Sequence, residues 1–311
     1  MAKILITESV HPIGPELLTA AGHTVVYADR DMDIIRREIV DADAVLVRII
    51  ELPGSLLTTA KNLKIVSKHG VGYDNIDLDY CKSHGIAVTI TPNANSLSVA
   101  EHAFTLMLTL AKNIIPVSNE YRTVGFAAKN HTPGIEMTGK TLGLIGMGRI
   151  GKYVLHMCKD GLDMHVIVYD PYISEVPEGV EKVDDLSELL RRADVVTLHC
   201  LLTDETRKLI DRERLALMKP TALLINCARG PIVDEAALIE ALENGRLAGA
   251  GLDVTDPEPV APDSPLFKLP NVIVTPHYAP TTVESATRVS KIAAENINAV
   301  LASQEPVGRI V

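Results

Sequence analysis

The sequence predicts an α/β protein with two doubly wound domains, each a parallel sheet covered by helices on both faces. Short apolar runs alternate with amphipathic stretches along nearly the whole chain, an alternation typical of βαβ units. The runs are almost continuously apolar, as expected for strands that are buried on both faces. A length of 311 residues is enough for about two domains of ordinary size.

The first series of strands and helices fills the chain up to Asn95. Its expected strands are Lys3–Thr7, Thr24–Ala28, Ala44–Arg48, Lys64–Lys68 and Ile86–Thr91. Its expected helices are Gly14–Ala21, Asp33–Val40, Ser55–Lys61 and Leu78–Ser83. Since each strand is followed by a helix that returns the chain across the sheet, neighbouring strands should run parallel. This part of the chain therefore forms one complete α/β sheet.

One long helix, Ser98–Tyr121, is expected between the two series. Asn95 and Ser96 offer capping side chains before it, and Glu101 lies in its first turns. A loop with Pro, Gly and His follows at Lys129–Gly134. The helix therefore separates the two sheets along the chain.

The second series starts at Lys140 and ends in a long helix, Val283–Leu301. Its expected strands are Thr141–Gly146, His165–Asp170, Asp194–Cys200, Ala222–Asn226, Gly249–Asp253 and Asn271–Thr275. Six strands with intervening helices make a full dinucleotide-binding sheet.

Composition and charge exclude several classes of protein. The chain is 47% hydrophobic and 23% charged, which excludes intrinsic disorder. A net charge of −10 and a pI near 5.5 disfavour nucleic acid as the main partner, although a local basic pocket for a small anion stays open. Because no apolar run is long enough for a membrane span or a signal peptide, and the four cysteines lack zinc-site spacing, we expect a soluble cytoplasmic protein without a metal.

A glycine-rich turn of the form GxGxxG follows the first strand of the second series. Its glycines are Gly146, Gly148 and Gly151. The first permits a tight turn, the second lets the backbone approach a pyrophosphate, and the third lets helix and strand pack closely. Arg149 and Ile150 open the next helix, whose unpaired N–H groups favour an anion. The turn predicts dinucleotide binding, the alternative being an ordinary turn of an α/β protein.

Asp170 ends the next strand, 24 residues after Gly146. A carboxylate at this place accepts hydrogen bonds from the ribose hydroxyls of NAD, whereas the 2′-phosphate of NADP would meet its negative charge. Pro171 and Tyr172 follow, not arginine. The sequence therefore favours NAD, unless Asp170 is only a solvated strand end.

Three polar residues follow strands of the second series, where ligands bind in open α/β sheets. Arg229 follows Ala222–Asn226, Glu258 comes after Gly249–Asp253, and His277 ends the last strand. His277 can carry a proton near neutral pH, and a carboxylate beside it would favour the imidazolium. Arg229 can bind a substrate carboxylate as a bidentate fork. The alternative is structural: a histidine at a strand end, or an arginine that caps a helix or stabilises its loop.

Six ordered motifs along nearly the whole chain resemble the D-isomer-specific 2-hydroxyacid dehydrogenases, especially the phosphoglycerate dehydrogenase-like branch. They are Lys68–Asp77, Thr91–Ser96 with Val99–His102, the glycine-rich turn, Asn226–Gly230, Asp253–Pro259 and Thr275–His277.

The resemblance implies an NAD-dependent oxidoreductase with a flavodoxin-like substrate domain, a Rossmann NAD-binding domain and an active site in the cleft between them. The substrate domain would be discontinuous, residues 1–97 plus 285–311, with the NAD-binding domain at 98–284. A homodimer built through the cofactor domain and its first helix is implied as well. We expect no regulatory domain after Val311.

The resemblance also implies roles for single residues. Arg229 would bind the substrate carboxylate, His277 would be the acid–base and Glu258 its partner. Further substrate contacts would come from Val71, Gly72 and Asn93. Cofactor contacts would come from Gly146, Gly148, Arg149, Ile150, Gly151, Asp170, Val99, Thr203, Cys227 and Asp253. After the histidine a small Gly-rich turn is common in the family, whereas Tyr278, Ala279 and Pro280 follow His277 here, which leaves the substrate open.

Two basic residues, Arg48 and Lys68, end neighbouring strands of the first series. In phosphoglycerate dehydrogenases, basic residues at similar positions meet the substrate phosphate, so these two predict a second anion subsite. The alternative is an interdomain salt bridge or a solvated charge. A phosphoglycerate dehydrogenase-like activity is therefore preferred. Reduction of glyoxylate, hydroxypyruvate or another 2-keto acid is the alternative, and an NAD(H)-sensing regulator similar to the family's co-repressors is a hypothesis of another class.

Overall fold

The computed structural model describes all 311 residues and divides them into two compact units. One unit contains residues 1–95 and 280–311, and the other contains residues 96–279. The second unit begins before the expected boundary because its first helix already starts at Ser96. No helix of either unit combines the length and the apolar character that a bilayer span requires.

The unit of residues 1–95 and 280–311 contains a five-stranded parallel sheet. Its strands are β1 Lys3–Ile6, β2 Thr24–Tyr27, β3 Ala44–Val47, β4 Ile65–Lys68 and β5 Ala87–Thr89. Its helices are α1 Ile13–Ala20, α2 Met32–Glu38, α3 Gly54–Leu57, α4 Leu78–Ser83 and α11 Val283–Leu301. The strand order β2-β1-β3-β4-β5 is the flavodoxin-like order, which confirms the predicted fold class.

Both faces of this sheet are buried, which explains why its strands are continuously apolar. Leu5 and Val45 belong to the apolar cluster on one face. Their neighbours Ile4 and Leu46 belong to the cluster on the other face. Because successive side chains of a strand point to opposite sides, the buried residues of β1 and β3 need apolar partners on both faces.

The unit of residues 96–279 contains a seven-stranded parallel sheet. Its strands are β6 Thr141–Ile145, β7 His165–Tyr169, β8 Val180–Lys182, β9 Val195–Leu198, β10 Leu223–Asn226, β11 Gly249–Leu252 and β12 Val272–Val274. Its helices are α5 Ser96–Ala111, α6 Ile114–Val124, α7 Arg149–Leu162, α8 Leu186–Arg192, α9 Arg212–Leu215 and α10 Glu235–Glu243. The order β12-β11-β10-β9-β6-β7-β8 reverses between β6 and β9, as in a Rossmann fold.

The seventh strand, β8, was not predicted from the sequence. It has three residues, lies at the edge of the sheet and pairs only with β7. Glu181 at its centre is exposed. An edge strand of this length needs no apolar run, so it leaves no clear sequence pattern.

The prediction of a single helix at Ser98–Tyr121 is wrong, because the chain forms α5 and α6 with a break at Lys112 and Asn113. Asn113 adopts a left-handed conformation with φ of 51°, which Asn tolerates better than most residues. Pro116 explains the restart. Within one continuous helix it would remove a backbone hydrogen bond and clash with the preceding turn, whereas it is tolerated in the first turn of α6.

Candidate active site

The glycine-rich turn, Gly146–Gly151, joins β6 to α7 and has no room for side chains at two of its glycines. Gly146 has φ of 89°, and a Cβ there would lie 2.7 Å from the backbone nitrogen of Cys200. A Cβ at Gly151 would lie 2.3 Å from the carbonyl oxygen of Gly146. A Cβ at Gly148, in contrast, would meet nothing within 4 Å. The turn is therefore tight where helix and strand meet and open where a ligand can approach.

Helix α7 begins at Arg149 and presents its amino end to this open space. Gly148 is its N-cap, and no side chain caps the helix. The first N–H groups of a helix lack partners within it and carry positive potential. Together with the space at Gly148, these N–H groups at Arg149, Ile150 and Gly151 fit a pyrophosphate.

Asp170 follows β7 and holds the glycine-rich turn in place. Its Oδ2 accepts a hydrogen bond from the N–H of Met147 at 2.9 Å, and its Oδ1 accepts one from the N–H of Tyr172 at 3.0 Å. A carboxylate has about four acceptor positions, so it can accept ribose hydroxyls as well. The Tyr172 hydroxyl donates to Glu205 Oε2 at 3.0 Å. Residues 170–179 between β7 and β8 contain no Lys or Arg, and Glu205 adds a second carboxylate beside Tyr172, which suits NAD better than NADP.

Glu258 and His277 contact each other after β11 and β12, near the carboxyl ends of these strands. His277 Nδ1 lies 2.7 Å from Glu258 Oε1, and the two side chains are 33% and 40% exposed. With Nδ1 engaged by the carboxylate, Nε2 is the ring nitrogen that is left to exchange a proton with a ligand. His277 has φ of 53°, a left-handed conformation that costs a non-glycine residue on the order of 1–3 kcal/mol.

Arg229 lies in the loop after β10, and the side chain of Asn226 shapes that loop. Asn226 Nδ2 donates to the carbonyl of Arg229 at 2.9 Å, while its Oδ1 accepts the N–H of Ala228 at 3.0 Å. The Arg229 guanidinium donates to the carbonyl of Ala228 at 2.8 Å. The half-buried Asn226–Arg229 turn therefore holds a cation at a strand end.

The Arg229 loop packs directly on the segment that leads to Glu258. A Cβ at Gly230 would lie 1.9 Å from the carbonyl oxygen of Thr255. Glu235, at the start of α10, accepts the N–H of Asp256 at 2.9 Å, and burial raises the pKa of this carboxyl above its usual range. Sequence reasoning placed Gly230 in a motif without giving it a role, and it missed Glu235. The contacts of both residues keep the Arg229 loop and the Glu258 segment together.

The other residues expected at the cofactor have varied surroundings. Val99 belongs to α5 and is buried in the apolar core, and Cys227 is buried after β10, where burial raises the pKa of its thiol. Thr203 is exposed, and its N–H donates to Thr206 Oγ1 at 2.7 Å. Asp253 is 1% exposed and accepts hydrogen bonds from the N–H groups of Tyr278 and Ala279. Their contacts with NAD stay predictions.

Lys68 and Arg48, at the ends of β4 and β3, differ in surroundings. The Lys68 side chain is buried, and its ammonium donates to the carbonyl of Arg48 and to Asn75 Oδ1 at 2.5 Å. Asn75 in turn donates to the carbonyl of Ile50 at 2.7 Å. Lys68 therefore ties together two loops of its own unit.

Glu8 was not predicted, yet it organises the same strand ends. It is 1% exposed, and its carboxylate accepts the N–H groups of Arg48, Ile49 and Ile50 at 2.7, 2.6 and 3.0 Å. The signal was present, because Glu8 is a charged residue directly after an apolar strand. Successive N–H groups form an anion site, and here the chain supplies the anion itself.

Val71, Gly72 and Asn93 lie in two loops at the ends of β4 and β5. The loops are linked because the carbonyl of Gly70 accepts the N–H of Thr91 at 2.8 Å. Asn93 is exposed and has φ of 64°. His69 precedes the loop of Val71 and Gly72. Burial, aided by the positive charge of Arg48, lowers the pKa of His69 to about 3.

Comparison with known proteins gives consistent matches. Residues 104–279 match the model for D-isomer specific 2-hydroxyacid dehydrogenase, NAD binding domain. A D-3-phosphoglycerate dehydrogenase of Methanocaldococcus jannaschii is 43% identical over 305 residues, which cover 97% of this chain and 58% of that protein. A glyoxylate reductase of Thermofilum pendens is 38% identical over 319 residues, 98% of this chain and 93% of that protein. The chain thus spans little more than half of the first relative.

Solved structures match both units. The TT0316 protein from Thermus thermophilus has a TM-score of 0.92 at 34% identity and covers 99% of this chain and 100% of that one. The D-lactate dehydrogenase from Aquifex aeolicus, complexed with NAD and lactic acid, has a TM-score of 0.87 at 33% identity and covers 96% of each chain. The match to the model of an NAD binding domain gives NAD as the cofactor, and the open turn at Gly148 and the carboxylate of Asp170 fit it.

Proposed function

The chain belongs to the D-isomer-specific 2-hydroxyacid dehydrogenase family, and from this premise we propose that it interconverts a D-2-hydroxy acid and its 2-keto acid. The observation that carries the proposal is the acid–base pair, with His277 Nδ1 at 2.7 Å from Glu258 Oε1. The pair lies at the carboxyl ends of strands in the sheet that also carries the glycine-rich turn. That arrangement combines a dinucleotide site with a proton carrier.

His277 exchanges the proton of the substrate hydroxyl. NAD, held by the glycine-rich turn and Asp170, would supply the acceptor for the hydride of the carbon that bears the hydroxyl, and NADH would supply that hydride in reduction. In oxidation, neutral His277 accepts the hydroxyl proton at Nε2 and becomes an imidazolium, which the carboxylate of Glu258 stabilises. In reduction, the same imidazolium donates its proton to the oxygen. Glu258 also holds the neutral ring in the tautomer that carries its proton on Nδ1.

Arg229 binds the carboxylate that is common to 2-hydroxy and 2-keto acids. The planar guanidinium matches a carboxylate with two parallel hydrogen bonds, and charged hydrogen bonds of this kind contribute about 1.5–3 kcal/mol. The contact between Gly230 and Thr255 keeps the Arg229 loop against the segment of Glu258. The substrate carboxylate and the reacting oxygen can therefore be held in one region of the site.

The preferred substrate is a D-2-hydroxy acid with a second anionic group, such as D-3-phosphoglycerate. Arg48 supports this preference because it follows β3 and its backbone is held by Glu8, which leaves the guanidinium to reach a ligand. The similarity to D-3-phosphoglycerate dehydrogenases supports it as well. The roles of Arg48, Val71, Gly72 and Asn93 in substrate binding are part of the proposal.

Reduction of glyoxylate, hydroxypyruvate or a similar 2-keto acid is the second candidate. Lys68 favours it, because its ammonium donates to the Arg48 carbonyl and to Asn75. Hydrogen bonds within its own unit are the ordinary use of a buried ammonium. If Lys68 serves its loops, only Arg48 is left of the expected anion subsite.

We also propose a homodimer in the cytoplasm. Helix α6 has no buried residue. The exposed large apolar side chains on it and just after it are Ile114, Ile115, Tyr121, Val124 and Phe126. A cluster of this kind is unusual on a monomer and suits an interface with a second copy. Light scattering after gel filtration should give twice the mass of one chain. Ile115→Glu should lower the measured mass toward that of a single chain.

The test of the activity is NADH oxidation with glyoxylate, pyruvate, hydroxypyruvate and 3-phosphohydroxypyruvate, and the reverse reaction with NAD. A preference of 100-fold or more for the phosphorylated acid, about 2.7 kcal/mol, would support the phosphoglycerate-like activity. A preference for the small acids would support the second candidate. No turnover with any acid, while NADH still binds, would refute both and favour an NAD(H)-sensing regulator.

A further inference from the structure

His277 adopts a backbone conformation that its neighbours must impose. Its φ of 53° lies in the left-handed region, which is uncommon for residues other than Gly, although Asn, Asp and His adopt it more often than the rest. Its N–H donates to the backbone carbonyl of Asp253 at 2.8 Å. A histidine in this conformation keeps its ring direction only while the surrounding hydrogen bonds persist.

The carboxylate of Asp253 contacts the chain on both sides of His277. Its Oδ1 accepts the N–H of Tyr278 at 2.7 Å and the hydroxyl of Thr275 at 2.6 Å. Its Oδ2 accepts the N–H of Ala279 at 2.9 Å. Since the carboxylate is 1% exposed, these hydrogen bonds compensate for the cost of burying its charge.

His102 of α5 completes the arrangement. Its Nε2 lies 3.0 Å from Thr275 Oγ1 and 3.4 Å from Asp253 Oδ1. Because the only hydroxyl hydrogen of Thr275 goes to Asp253, its oxygen must accept from His102, which requires a hydrogen on Nε2. The ring of His102 also meets the ring of Tyr278 edge-on, with centroids 6.1 Å apart.

We propose that His102, Thr275 and Asp253 form a clamp that positions His277 for proton transfer. This inference rests on the proposed function and adds positioning residues to it. Each of the three residues has a contact that supports this role. Asp253 accepts hydrogen bonds from the residues after His277 and from Thr275 before it, and His102 links Thr275 to a helix. The competing role of Asp253 is a contact with the nicotinamide, and the two roles predict different losses. A clamp affects kcat, whereas a cofactor contact affects the Kd of NADH.

Thr275→Val and Thr275→Ser are the sharpest pair of variants, because valine keeps the shape and removes the hydroxyl, while serine keeps the hydroxyl. We expect Thr275→Val to lower kcat by about 10- to 100-fold, the loss that a small misplacement of a catalytic group causes. The Kd of NADH should stay within about twofold. Thr275→Ser should restore most of kcat.

His102→Phe and His102→Gln extend the test to the helix. The Gln amide can donate to Thr275 Oγ1, whereas Phe cannot, so only His102→Phe should lower kcat. Thr105→Ala is the matched control, because Thr105 lies one turn further along α5 and its hydroxyl bonds only to the carbonyl of Glu101 in its own helix. It should leave kcat and the melting temperature unchanged.

Histidine NMR with ¹⁵N-labelled rings tests the position of His277 without turnover, its signals being assigned by their loss in His277→Gln. The ring signals of His277 should shift in Thr275→Val and return in Thr275→Ser. Failure of the wild type to reduce any 2-keto acid would refute the proposed function and leave this measurement to decide the clamp. Wild-type turnover with unchanged kcat and His277 signals in Thr275→Val would overturn the clamp alone. A raised Kd of NADH with unchanged kcat in Thr275→Val would instead assign this cluster to cofactor binding, and that result would overturn the clamp as well.

Discussion

The two units place charged residues after parallel strands and use them in opposite ways. In the unit of residues 96–279, His277 and Glu258 are about one-third exposed and contact each other. In the other unit, Lys68 is 7% exposed and donates to backbone and amide oxygens of its own loops. A charged residue at a strand end can therefore serve a ligand or the loops beside it. Exposure and partners decide between the two, and neither is visible in a strand pattern.

The largest effect should come from the exposed pair. His277→Gln removes the group that exchanges the proton, so kcat should fall by about 10²- to 10⁴-fold, while NADH still binds. Stopped-flow turnover and the quenching of NADH fluorescence measure the two quantities. Glu258→Gln keeps a hydrogen-bond partner for His277 Nδ1, so its kcat should fall less than that of His277→Gln. Equal kcat in His277→Gln and the wild type would exclude His277 as the acid–base.

Arg229→Lys should have the second largest effect. Lysine keeps the charge and loses the planar fork, so kcat/KM for the 2-keto acid should fall by about 10- to 150-fold, corresponding to about 1.5–3 kcal/mol. Most of the loss should appear in KM. Arg246→Lys, at an exposed position after α10, is the control. If the acid has the same KM in Arg229→Lys as in the wild type, Arg229 does not bind the carboxylate.

The comparison is sharpest at Lys68 and Arg48. Lys68→Met leaves the Arg48 carbonyl and Asn75 Oδ1 without their donor, so the free energy of unfolding should fall by about 1–3 kcal/mol. Urea denaturation measures this. If Lys68 instead meets a substrate anion, Lys68→Met should weaken the binding of the phosphorylated keto acid, seen as a higher KM, and leave glyoxylate unaffected. Arg48→Met, in the same assay, reports whether Arg48 forms an anion subsite without Lys68.

Two other histidines, one in each unit, are held neutral and should affect only stability. Burial lowers the pKa of His199 to about 3, and burial with the charge of Arg48 does the same for His69. Unfolded histidine titrates near 6.5, so between pH 6.5 and 3 the unfolded state binds more protons. Stability should therefore fall with pH through this window, by about 2 kcal/mol per histidine at pH 5.

His199→Gln should remove its part of that loss, as measured by urea denaturation at pH 7 and pH 5. Replacement of the exposed His165 by Gln is the control and should keep the wild-type dependence on pH. Identical pH dependence of the wild type and His199→Gln would show that His199 titrates normally in the folded protein.

Most of the fold could be predicted because burial on both faces makes these strands apolar throughout. The exceptions have local causes. Strand β8 is short and lies at an edge, and the break between α5 and α6 depends on the left-handed conformation of Asn113. The apolar periodicity of the sequence continues across that break, so the pattern alone predicted one helix where the structure has two.

The candidate site was predictable in position and less so in partners. Arg229, Glu258 and His277 lie after strands, as their sequence context indicated. The hydrogen bonds of Lys68 could not be predicted, because Asn75 comes from an irregular loop. The contacts of Asp253 were missed for a similar reason, since they depend on how the backbone turns after β12.

The close contact at Gly230 limits how this site could be redesigned. No side chain fits between Gly230 and the carbonyl of Thr255. The spacing between the Arg229 loop and the segment that leads to Glu258 is therefore set by main-chain atoms. Any residue with a Cβ at position 230 would have to displace the main chain of one of the two segments. A change in the shape of the site is therefore easier to make at neighbouring loop positions, where a side chain can change without moving the backbone.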